Sequence, residues 1–99
     1  MPAQFSLSNQ TLSLMGVINF DNAEKVYQEG LALLKQVVAP VVLLDLSAFN
    51  SSNTISLAVF VQWQRVIVEK SQFKLIHVPE KMRDIIEASN LLEAFALAA

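Results

Sequence analysis

Apolar and polar residues alternate from the start of the chain. In QFSLS (4–8), Phe5 and Leu7 fall on one side and Gln4, Ser6 and Ser8 on the other, which is the period-two pattern of a half-buried strand. Asn9-Gln10 reads as a tight turn. TLSLMGVIN (11–19) resumes the alternation, with Leu12, Leu14, Gly16 and Ile18 on one face. The pair predicts an N-terminal β-hairpin. The period then lengthens. Ala23, Val26, Tyr27, Leu31, Leu34 and Val38 recur at helical spacing. Asp21 or Asn22 can cap this helix, and Glu24 suits its positive end. Gly30 weakens it by roughly 1 kcal/mol relative to alanine, and Pro40 stops it.

VVLLDL (41–46) is a continuous β-branched and leucine run, which predicts a central parallel strand covered on both faces, with Asp45 near its end. NSSNTIS (50–56) follows, and then a helix from about Asn53 to Lys70. FKLIHV (73–78) predicts another buried strand. Pro79 suits a first helical position, and a helix to about residue 88 would turn Met82, Ile85 and Ile86 inward. Asn90 can end it, and LLEAFALAA predicts a last helical turn or a small strand. The order β-β-α-β-α-β-α places the chain in the α/β class. It implies a mainly parallel sheet of four to five strands with crossover helices and an antiparallel edge hairpin. One domain spanning 1–99 is expected from the length.

Composition sharpens the reading. Hydrophobic residues make up 54% and charged residues 16% of the 99 positions, and a charged share well below the roughly 25% of average domains leaves apolar surface for a partner. The seven basic residues are scattered and the net charge is -2, so no nucleic-acid partner is expected. With no cysteine and a single histidine, His77, thiolate chemistry and a Cys/His metal site are excluded. MPAQFSLSN lacks the basic and apolar regions of a signal peptide. The longest apolar runs fall far short of the roughly 20 residues that span a bilayer. A cytoplasmic protein without direct membrane insertion is therefore expected. Two glycines cannot build a phosphate-cradling loop, no nucleotide-binding or hydrolase motif is present, and no cofactor is expected.

The candidate chemistry gathers at NSSNTIS. Thr54 stands at a helix start, where unpaired N–H groups and the helix dipole favour negative charge. Capping by Ser52, Asn53 or Thr54 is the plain structural reading. Contact with a partner is the second, and phosphorylation of Thr54 the third. The helix beyond has two apolar arcs at 100° per residue. Leu57, Phe60, Val61, Gln64 and Val68 form the expected core arc. Ile55, Val59, Trp63 and Val66 form another, which implies complete burial or a face kept for a partner. The partner face is the expectation, with Ser51, Ser52, Thr54, Ile55, Val59, Gln62, Trp63 and Val66 as its residues and Trp63 as its aromatic anchor. Asp45 reads as an acceptor for loop N–H groups and His77 as a structural histidine. An enzyme built from Asp45, Thr54 and His77 is the remote alternative.

The run VVLLDLSAFNSSNTISLAVFVQWQRVIVEKSQFKLIHVPEKMRDIIEASNLLEAF resembles the STAS domain signature. In that family a buried strand ends in Asp-Leu-Ser, a hydroxyl residue opens the next helix, and a Pro-led helix follows a second strand. Within the family it is most similar to the small STAS subunit of Mla-type ABC transporters of Gram-negative bacteria. The resemblance implies the STAS fold and a non-catalytic subunit. Such a subunit binds and stabilises or regulates the transporter's ATPase and meets the permease indirectly, at the cytoplasmic side of the inner membrane. Those systems move phospholipids between the inner and outer membranes. Asn53 replaces the family's Asp, and Ile55 and Ser56 replace its glycines. The alternative implied by the same fold is an anti-sigma-factor antagonist switched by phosphorylation at Thr54 or Ser56.

Overall fold

The computed structural model describes residues 3–68, 71–91 and 95. Its elements are β1 (Gln4–Ser8), β2 (Thr11–Met15), α1 (Ala23–Leu34), β3 (Val41–Asp45), α2 (Thr54–Ile67), β4 (Gln72–Ile76) and α3 (Glu80–Ala88). Four strands form one sheet in the order β1-β2-β3-β4. The hairpin β1–β2 is antiparallel, and β3 and β4 add in parallel. Asn9 turns the hairpin with φ 55, a conformation its short amide tolerates. The fifth strand allowed for above, and most of the tail LLEAFALAA, lie outside the described residues.

The alternation in the strands sorts the two faces of the sheet. Leu12 and Leu14 of β2, Val42 and Leu44 of β3 and Phe73 and Leu75 of β4 are buried, with Phe5 and Leu7 of β1 packed against them. Val41, Leu43 and Asp45 on the other side of β3 are only half-buried. The expectation that β3 is covered on both faces is therefore corrected. The crossovers β2-α1-β3 and β3-α2-β4 step in the same direction along the sheet. A common right-handed sense then puts both helices on one face, and the other face stays open among the described residues.

Helix ends differ from the periodicity in informative ways. α1 stops at Leu34 rather than near Val38, and Val38 is 98% exposed. Pro40 disfavours helical backbone at Ala39 and so shortens what precedes it. α2 ends at Ile67 with Val68 as its C-cap. Val68 is 55% exposed instead of joining the core arc. Pro79 is the N-cap of α3, not its first helical residue. Met82 and Ile86 are buried as expected, and Ile85 is half-buried. No helix of the described residues is long and apolar enough to cross a membrane.

Candidate functional site

The polar residues at the start of α2 divide into two sets. Asn53 is the N-cap, and its Oδ1 accepts from the Ser56 N–H at 2.7 Å. Its Nδ2 donates to Ser51 Oγ at 2.7 Å and to the Ile18 carbonyl at 3.1 Å. Ser51 Oγ also donates to Ile18 O, at 2.8 Å, and Ser56 Oγ donates to Ser51 O at 2.7 Å. Ser51, Asn53 and Ser56 thus spend their polar atoms inward, tying the β3–α2 loop to the chain leaving β2. Gly16 reinforces the tie through Asn50 N–H to Gly16 O at 2.9 Å, at φ 92, where glycine is at ease. Ser52 and Thr54 are the other set. Their hydroxyls have no hydrogen-bond partner among the described residues, and Thr54 is exposed.

Beside Thr54 an open groove of about 320 Å³ runs between α1 and α2. Ala23, Glu24 and Tyr27 form one wall, Ile55, Ala58 and Gln62 the other, and the buried Val59 contributes to the floor. The remaining residues of the expected face lie elsewhere. Trp63 is fully buried. Its indole N–H donates to the Tyr27 carbonyl at 2.9 Å, and its ring stacks on Phe60 and meets Phe5 edge-on. The expectation of Trp63 as the partner anchor is corrected. The second apolar arc of α2 is covered by α1, which lies alongside it. Gly30 of α1 makes the approach possible, because a Cβ there would overlap the Trp63 ring, with Cε2 at 2.7 Å. Ser51 and Val59 are likewise buried. Val66 lines a separate small cavity with Leu34, Val37, Val42, Ile67 and Ser71. Of the expected face, Thr54 and Gln62 are exposed, with Ser52 and Ile55 half-buried beside them. Ser56 is fully buried, which removes it as a phosphoacceptor.

The family model described as Mlab, STAS domain, matches residues 1–97. The chain belongs to the STAS family. A chain of the Acinetobacter MlaFEDB complex in an ATP-bound conformation superposes with a TM-score of 0.77 at 42% identity, over 91% of this chain and 95% of that one. In a second ATP-bound conformation the values are 0.78 and 40%, over 93% and 97%. An anti-sigma factor antagonist from Mycobacterium paratuberculosis gives 0.76 at 18% identity, over 97% and 83%, a likeness of fold alone. No curated protein matches. The STAS fold expected from the sequence, with its antiparallel edge hairpin, is the fold found.

One large exposed aromatic was not singled out by periodicity. Phe20 is 87% exposed on the turn between β2 and α1. That turn is tightly pinned. Asn19 Oδ1 accepts from the N–H groups of Asp21 and Asn22, Asn22 Oδ1 accepts from Asn19 N–H, and Asn22 Nδ2 donates to Val17 O. Phe20 therefore stands on a rigid loop, two residues from the Ile18 carbonyl that holds Ser51 and Asn53. Asp45 Oδ1 accepts from Ser47 N–H at 2.9 Å, the role expected for it. His77 is exposed on a left-handed turn at φ 54, and no hydrogen bond joins Asp45, Thr54 and His77. Among the described residues no cluster of His, Asp and Glu could hold a metal.

Proposed function

We propose that this STAS chain is a non-catalytic subunit of an Mla-type phospholipid transporter and that it binds the ATPase subunit through the start of α2 and the α1–α2 groove. The observation that carries the proposal is the Thr54 hydroxyl, unpartnered among the described residues, at a helix start beside an apolar groove, in a chain 42% identical to one in the MlaFEDB complex. Ser52 and Thr54 offer polar contacts. Ile55, Ala58 and Tyr27 offer apolar area, and Glu24 and Gln62 border it. ATP and lipid would be handled by the other subunits. This chain would sit on the cytoplasmic side and be held at the inner membrane through the complex.

Binding of the cognate ATPase to the purified chain tests this reading. Thr54→Glu and Ala58→Glu change exposed residues, so both should keep the far-ultraviolet spectrum and melting temperature. Each should weaken binding at least tenfold, about 1.4 kcal/mol, by placing a charge against a desolvated contact. If both variants bind like the parent chain, the groove is not the docking face. The fold alone also allows an anti-sigma-factor antagonist. That reading needs phosphate on Thr54, and an unchanged intact mass after incubation with the partner kinase and ATP removes it.

A further inference from the structure

We propose that the outer edge of β1 is a self-pairing surface, through which two copies of this chain join their sheets antiparallel. The proposal is independent of ATPase binding and rests on the parity of the backbone groups. The Leu43 N–H donates to the Gln10 carbonyl at 2.9 Å, so the even positions of β2 point their backbone toward β3. The odd positions, Thr11, Ser13 and Met15, then point toward β1, where their partners are Ser8, Ser6 and Gln4. Alternation along an antiparallel strand leaves the N–H and C=O groups of Phe5 and Leu7 facing outward. Among the described residues nothing pairs with them, since β1 is the first strand of the sheet.

The edge fits itself. With Ser6 on a two-fold axis perpendicular to the sheet, Phe5 of one copy lies opposite Leu7 of the other. These are the residues with free backbone groups, so each Phe5–Leu7 pair exchanges both of its hydrogen bonds. Ser6 then faces Ser6, and Gln4 faces Ser8, at non-hydrogen-bonded positions. The axis preserves the faces. Phe5 and Leu7, half-buried on the helix side, would cover the apolar area that β1 leaves open beside them. Nothing in QFSLS opposes this. The strand has no charge, proline or bulge, the usual guards of an exposed edge. A five-residue strand gives an interface smaller than the roughly 1,200 Å² of stable complexes. The dimer is therefore weak and dissociates on dilution.

The chain has no cysteine, which makes the register directly testable in the full-length protein. Sedimentation equilibrium up to about 1 mM protein should show a monomer–dimer equilibrium at the concentrated end. Under mild oxidation, Ser6→Cys should form a covalent dimer by itself. Gln4→Cys and Ser8→Cys should cross-link at least tenfold faster when mixed than either does alone. Ser6→Lys, at an exposed position, should keep the fold and abolish association. The proposal is overturned by a monomer throughout, by cross-linking that does not depend on position, or by a dimer that persists in Ser6→Lys. Capture of an extended peptide on β1 without self-association would assign the edge to another protein and overturn it as well.

Discussion

Asn53 holds the start of α2 with both ends of its amide. The oxygen caps the helix, and the nitrogen bridges to Ser51 and to Ile18 across the β2–α1 junction. A carboxylate could perform only the first task. Asn53→Asp keeps the cap and gains about 0.3–1 kcal/mol from the helix dipole. It loses two donated hydrogen bonds, each worth about 1 kcal/mol, and sets an anionic oxygen against the Ile18 carbonyl. The loss is the larger effect. Urea denaturation should show Asn53→Asp less stable by about 1 kcal/mol. A variant as stable as the parent would mean that the Nδ2 contacts contribute nothing. Residue type alone marked this stretch as a helix start, and it separated Asn53 from the family's acid. Which hydroxyls face inward was not legible. That depends on Ile18, more than 30 positions away in sequence.

At the scale of elements, α1 and α2 explain why the helix after the junction is apolar on so many sides. One arc meets the sheet and the other meets α1, which carries a notch at Gly30 for the Trp63 ring. A helical wheel shows two apolar arcs but cannot say which neighbour covers them. The same glycine read as a weakness in isolation is a requirement in the packed pair. Alanine at position 30 would improve helix propensity by about 1 kcal/mol. The ring has no room to retreat, being held by Tyr27 O and packed on Phe5 and Phe60, and overpacking typically costs 1–3 kcal/mol. Gly30→Ala should therefore lower the unfolding free energy by about 1–2 kcal/mol. Trp63→Phe lacks the clashing ring atoms and should recover part of that loss in the double variant. Strict additivity of the two changes would rule out the proposed contact.

For the whole molecule, the site forms where two chain segments meet at one edge of the sheet. The turn carrying Phe20 and the loop carrying Thr54 are joined through Ile18 O. Phe20 continues the parity of Leu12, Leu14 and Ile18, which would send it inward. β2 instead ends at Met15, and the pinned turn directs Phe20 outward. Phe20→Ser should leave the melting temperature within about 2 °C of the parent, since exposed positions contribute little to stability. It should weaken ATPase binding about tenfold, as loss of an exposed aromatic at an interface does. Unchanged binding in a titration would exclude Phe20 from the contact surface.

The amino-acid sequence by itself determined the order of elements, the parallel sheet with its hairpin edge, the STAS likeness and the helix start at Asn53-Thr54. These follow from local periodicity, turn residues and caps, which act over a few positions. Only the tertiary structure decided that Trp63 belongs to the core, that β3 is covered on one face, and that Phe20 is exposed. Each of those outcomes depends on which distant segment packs against a given apolar surface. Local pattern shows that such a surface exists; the neighbour that covers it is chosen by the assembled fold.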